Sequence, residues 1–150
     1  MNSIKTILFI ALCLSLIIAC SISSNEFVSG TMHFESGEYQ KAIDDFSKAI
    51  ESDPKLAEAY SIRGLSYSKL DEHEKAIEDY TKAIELKIAE EAIWYYHRAY
   101  SYEELREYQK AIDDYTKATE SNPPFYMKDM MRWSLEKALE DYSKHINLNP

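Results

Sequence analysis

The chain has 150 residues and a formal net charge of −9, with 3 Gly, 4 Pro and 2 Cys. Its length bounds it to one domain plus whatever precedes that domain, and its acidity excludes a binder of nucleic-acid phosphates, which needs a basic stripe. So few Gly and Pro suit long helices joined by short turns, and with both cysteines at Cys13 and Cys20 the remainder holds no disulfide and no thiolate metal site.

Residues 1–20 read MNSIKTILFIALCLSLIIAC. Lys5 precedes an apolar run from Ile7 to Ala19. That run is shorter than the ~18–20 residues of a membrane-spanning helix and has the length of a secretory leader's apolar segment. Ala19 suits ordinary signal peptidase one position before a cut, but Ile17 is too bulky two positions earlier. Ile17-Ile18-Ala19-Cys20 instead resembles the bacterial lipoprotein box. The resemblance implies a leader over 1–19, a diacylglycerol thioether on Cys20 and, commonly, a fatty acid on its new amino group. More than one acyl chain makes such an anchor stable. The alternatives are an uncleaved signal anchor or cleavage nearby without lipid. Processing removes Lys5 and no acid, so the mature chain is one unit more negative. Residues 20–23 form a tether, and its few residues reach at most ~14 Å. Ser21 stands where Asp would favour retention at an inner membrane, so an outer-membrane position facing the periplasm is expected where the source has two membranes.

From residue 24 onward one phrase is written four times. Lys41-Ala42-Ile43-Asp44-Asp45-Phe46-Ser47-Lys48 returns as the octets beginning at Lys75, Lys110 and Lys137. The first three copies start 34 and 35 residues apart, the last only 27. A period near 34 marks stacked helical hairpins. Ahead of each phrase lies a second helical stripe with a small residue at its centre: Glu26, Gly30, His33, then Tyr60, Gly64, Tyr67, then Tyr95, Ala99, Tyr102. Gly37 and Asp71 supply turn chemistry between the two helices. Asp53-Pro54 and Asn122-Pro123 read as a cap followed by a first-turn Pro, and Ser23 to Glu26 as a capping box. The expected helices are 24–36, 39–52, 54–70, 73–87, 90–105 and 108–121.

The second repeat, Tyr60, Gly64, Tyr67, Ala76, Tyr80, and the third, Tyr95, Ala99, Tyr102, Ala111, Tyr115, Pro123, resemble the tetratricopeptide repeat family. The resemblance implies an all-α fold, a right-handed superhelical solenoid of helix-turn-helix hairpins over 24–150. Its repeats are 23–56, 57–91, 92–125 and a shortened fourth at 126–150. Arg63 and Arg98 depart from the family's Leu, Glu26 from its first aromatic and Ile88 from its closing Pro.

The fourth unit is short by about two helical turns, and Met127 to Asn147 holds no Gly or Pro. One long terminal helix or a stunted hairpin follows. His145 stands where the earlier phrases have Ala49, Ala83 and Ala118, which weakens close packing there. No cap is visible at the carboxyl end, so Met131, Trp133 and Leu135 are open to a partner or a second copy of the chain.

The paired acids Asp44/Asp45, Glu78/Asp79, Asp113/Asp114 and Glu140/Asp141 recur in every phrase. A catalytic site is needed once, so they read as solvated helix faces, with Asp44 and Glu78 four residues before Lys48 and Lys82. His33, His73, His97 and His145 have no zinc-ligand spacing, and no phosphate loop or activated nucleophile is present. No catalytic residue, metal or cofactor is assigned.

A further stripe turns away from the packing residues. It holds Ser24, Phe27, Thr31 and Phe34 in the first repeat, then Glu58, Ser61, Leu65 and Ser68, then Ile93, Tyr96, Tyr100 and Glu103. The resemblance implies that these residues line a concave groove for a peptide segment. Packing between neighbouring hairpins is the other explanation for their apolar members. Chaperone-binding relatives clamp a terminal carboxylate with Lys, Asn and Arg. The matching residues here are Phe27, Thr31, Ile62, Ile93 and His97, so no fixed cation remains. The resulting expectation is a non-catalytic scaffold or adaptor, anchored by lipid in the bacterial cell envelope and holding a protein or peptide partner. The alternative is a soluble or signal-anchored co-chaperone facing the cytosol.

Overall fold

The computed structural model describes residues 25–86 and 91–148, all of them in helices or the turns between helices. Helix α1 spans 25–35, α2 Tyr39–Ser52, α3 Ala57–Lys69, α4 His73–Glu85, α5 Glu91–Glu104, α6 Tyr108–Glu120 and α7 Lys128–Leu148, with one 3-10 turn at Phe125–Met127. The leader, Cys20, the tether, Ser23, Ser24 and Ile88 lie outside the described residues. Neighbouring helices pack against each other in chain order. Three antiparallel hairpins (α1–α2, α3–α4, α5–α6) are therefore stacked into a solenoid and closed by α7.

Each hairpin turn is built the same way. Gly37, Asp71 and Arg106 have φ of 76°, 60° and 59°, and the next amide reaches back to a carbonyl one turn inside the first helix: Glu38 to His33, Glu72 to Tyr67, Glu107 to Tyr102. The left-handed residue closes the helix and satisfies its last carbonyls. Only the first copy uses Gly. Between hairpins the expected caps form differently. Asp53 accepts a bond from the Lys55 amide in a local turn, and α3 begins only at Ala57. Asn122 adopts φ 52° and ends the α6 segment instead of capping the next helix.

The repeated phrase supplies the core. Ala42, Ala76 and Ala111 are fully buried, as are Phe46 and Tyr80, and Tyr115 is 1% exposed. The small residue of the preceding helix is required by those rings. A Cβ added at Gly30 would stand 2.9 Å from the Phe46 ring, and one at Gly64 would stand 2.9 Å from Tyr80. Ala99 packs with Tyr115 in the third hairpin.

The paired acids are not equivalent, which corrects the reading of them as solvated faces. Asp44, Glu78 and Asp113 are exposed, whereas Asp45, Asp79 and Asp114 are buried. Arg63 grips Asp79 with Nε and Nη2 at 2.8 and 2.7 Å, and its Nη1 donates to Ser47 of the previous hairpin at 2.9 Å. Arg98 repeats this with Asp114 at 2.6 and 3.0 Å and Thr81 at 2.9 Å. In the first hairpin Ser29 and His33 take over, bonding Asp45 at 2.6 and 2.9 Å. The two arginines that depart from the family pattern thus pair buried acids and link one hairpin to the next. Lys48 and Lys82 turn to Asp45 and Glu85, three residues away, not to Asp44 and Glu78.

The fourth unit is one long helix, α7, packed on α6. Met131 and Ala138 are fully buried and Ser134 is 5% exposed, on one stripe with spacings of three and four. Leu135 packs against the Ala99–Tyr115 cluster. Of the three residues expected to be open, only Trp133 stays so, at 62% exposed. His145 is exposed, with its ring 5.3 Å from that of Tyr108.

Candidate functional site

The stripe of candidate groove residues lies on the first helix of each hairpin, and the buried small residues behind it fix its direction. Residues 34 or 35 apart become lateral neighbours from helix to helix. Ion pairing continues that register onto α7: Lys137 Nζ bonds Glu103 Oε1 at 2.5 Å, 34 residues on. Lys137 thereby joins Glu103 at the end of the stripe, and the α7 residue that meets Ile93 and Tyr96 is the buried Met131. Lys137 was not assigned to the stripe from sequence; it stands one 34-residue step after Glu103.

The stripe splits into two kinds of residue. Phe27 packs edge-on against Phe46 at 5.6 Å, and Phe34 against Tyr39 at the same distance. Ile93 and Tyr96 pack on the cluster of Ala92, Ala118, Met127 and Met131, and Tyr96 also tilts onto Tyr115 at 5.6 Å. Thr31 bonds the Phe27 carbonyl at 2.9 Å, Leu65 is half-buried, and Ser61 is 1% exposed. These residues form the floor. Glu103 is held by the Tyr115 hydroxyl at 2.9 Å as well as by Lys137. What projects into solvent is Glu58 and Tyr100, the latter 41% exposed. Ser24 lies outside the described residues.

Tyr100 rests against a neighbouring ring. Its ring meets His73 edge-on at 6.1 Å. Partial burial, a bond with Glu104 and the charges of Asp71 and Glu103 hold its hydroxyl in the protonated form, raising its pKa. His97, beside it, stacks on Tyr80 at 5.9 Å and leans on Trp94 at 6.0 Å. Burial first, then the nearby Lys69, pushes the imidazole down to about 4. It is neutral at ordinary pH, so the one titratable residue among the carboxylate-clamp positions supplies no charge. Among the described residues no three His, Cys, Asp or Glu side chains are grouped for a metal ion.

A family model described as tetratricopeptide repeat matches residues 57–87 and 92–125, and a second, described as TPR repeat, matches 30–71. No curated protein matches the chain. Solved structures do. The first TPR of Spaghetti (RPAP3), bound to an HSP90 peptide, aligns with a TM-score of 0.74 at 22% identity over 82% of this chain and 94% of that one. The TPR2B domain of yeast Sti1, in complex with an Hsp70 peptide, gives 0.73 at 21% identity, over 81% and 98%. The Sgt2 TPR domain from Aspergillus fumigatus gives 0.72 at 24% identity, over 85% and 84%. These identities carry the fold alone. Together with the family matches and the three hairpins built on one phrase, they show that the chain belongs to the tetratricopeptide repeat family.

Proposed function

We propose that the protein is a non-catalytic scaffold that holds an extended or helical segment of a protein partner in its concave groove, close to a membrane. The observation that carries this reading is the groove residue Tyr100, about two-fifths exposed beside stripe residues that are otherwise packed. Apolar side chains held out to water on a rigid surface serve a partner, since binding then costs little ordering. Structural neighbours solved with HSP90 and Hsp70 peptides show the use to which this architecture is put elsewhere. The chemistry differs here, because Phe27, Thr31, Ile62, Ile93 and neutral His97 offer no cation to a terminal carboxylate. An apolar or aromatic segment fits better than an acidic tail.

The split between floor and projecting residues gives a test. Tyr100→Ala is expected to lower recovery of a crosslinked partner roughly tenfold, with circular dichroism and Tm unchanged. Tyr96→Ala is expected to cost about 2 kcal/mol of stability, because it opens a space against Tyr115. Equal loss of stability in both variants would move Tyr100 into the core and remove the argument for a groove.

The membrane part of the proposal rests on the sequence of residues 17–20. No helix among the described residues is long and apolar enough to cross a membrane; the proposed attachment is through Cys20 and its acyl chains. Labelled fatty acid is expected to enter the wild-type protein and not Cys20→Ala. Equal labelling of the two would remove the anchor.

A further inference from the structure

We infer that Phe125 and Tyr126 are a second membrane contact of the anchored array, at the far end of the edge on which the lipid tether enters. The inference rests on the lipid-anchor reading of Cys20. Because consecutive helices are antiparallel, α1, α3, α5 and α7 run the same way and their first turns line one edge of the solenoid. Packing shows this at the carboxyl end, where Ala92 opening α5, Ala118 closing α6 and Met127 before α7 share one cluster. The chain enters α1 at the same edge. The turns at Gly37, Asp71 and Arg106 lie on the opposite one.

On that edge Phe125 is 90% and Tyr126 79% exposed, the largest values among the exposed large apolar side chains of the described residues. The backbone holds them there. Pro123 is buried, Met127 is 9% exposed, and the Met127 amide bonds the Pro124 carbonyl at 2.9 Å. Anchoring both flanks turns the two intervening rings outward. They lie at the end of α7, away from Tyr100 and its neighbours, so the groove does not account for them. Adjacent aromatics of this kind, one with a polar tip, suit the boundary between headgroups and acyl chains. Lys128 and Arg132 are exposed beside them, but so is Asp129, and Asp53 lies further along the edge. Glu51, Glu58, Glu85 and Glu120 are also exposed along it, so the edge has no excess of positive charge and the contact rests on the two rings, not on attraction to headgroups. Acyl chains at one end and two rings at the other would set the helices upright, with the Asp71 turn facing away from the lipid. A single tether would leave the array free to swivel.

The test uses the full chain, expressed and processed in bacteria and reconstituted into phosphatidylcholine–phosphatidylglycerol vesicles. Nitroxides are placed by Phe125→Cys and, separately, Asp71→Cys. Acylation consumes the Cys20 thiol and Cys13 leaves with the leader, so each variant carries one reactive thiol. The label at position 125 is expected to collide with oxygen several-fold more, relative to a water-soluble nickel chelate, than the label at 71, at low and high salt alike. Equal ratios at the two positions would overturn the contact. So would a label at 125 shielded from both reagents, which would reveal a protein cover. Thiol titration of the wild-type chain separates the premises: a free thiol at Cys20 overturns the anchor, whereas an aqueous label on an acylated chain overturns the edge contact alone.

Discussion

Asp114→Ala is expected to destabilise the protein by about 3–5 kcal/mol, the largest effect of any single polar substitution considered. Asp114 is 3% exposed and receives both Nε and Nη2 of Arg98. Removing the carboxylate leaves a largely buried guanidinium with only Thr81 and the face of the Tyr95 ring as partners, and the desolvation of that charge is no longer fully offset. The reverse change, Arg98→Leu, restores the family's residue yet leaves the buried Asp114 with only the longer Lys117 contact at 3.4 Å, so it too is expected to be costly. The double variant Arg98→Leu/Asp114→Ala removes both charges and is expected to lie near wild type, since an apolar pair can replace a buried ion pair at little cost. Urea unfolding of the four proteins gives the coupling directly. An Asp114→Ala change within about 1 kcal/mol of wild type would show that water reaches the pair.

Acid should weaken the fold through His97. His97 has a folded pKa of about 4 against an ordinary value of 6.5. Between those values the unfolded chain binds a proton that the folded chain does not, so stability falls as the pH is lowered through this window. Each pH unit is worth about 1.4 kcal/mol, which sums to roughly 3 kcal/mol by the lower end. The groups around the ring are Tyr80, Trp94 and Tyr96, none of which neutralises an imidazolium, and Lys69, which repels it. Asp45 acts lower. Burial raises its carboxyl, but bonds from Ser29, His33 and Lys48 outweigh that and hold it below the usual carboxylate range. Its contribution is present above that range and lost as the pH drops through its folded pKa. A unit-by-unit loss between pH 6.5 and 4 that persists in His97→Phe would assign the effect elsewhere; its disappearance in that variant is the expected result.

What the sequence reveals of this fold depends on whether a residue's role is set within its own repeat. Ala76, Tyr80 and Gly64 recur at fixed spacing because each hairpin needs the same close approach, and their burial could be read from the period. The second acid of each phrase could not. Asp79 and Asp114 are buried by arginines from the preceding helix, and nothing in Glu-Asp or Asp-Asp distinguishes the paired member from the solvated one. The clue was the coincidence of Arg63 and Arg98 at one position with Asp 16 residues on. At the carboxyl end the phrase misleads. Lys137 to Lys144 has the letters of a second helix, but the residues that would form a hairpin turn before it are missing. The helix therefore runs on, with Ala138 facing α5 and α6 and Leu139 48% exposed. In the groove, the stripe was legible as a stripe. Which members project was not, because Tyr96 and Tyr100 differ only in whether Tyr115 lies behind the ring.

The central claim is that a partner segment lies in the concave groove, and crosslinking from single positions tests it most directly. A photoreactive residue at Tyr100 in the cell that makes the protein is expected to give one discrete adduct. The same residue at Asp44, exposed on the outward helix α2, is expected to give none. Adducts of equal yield from both positions, or from Asp44 alone, would contradict the account.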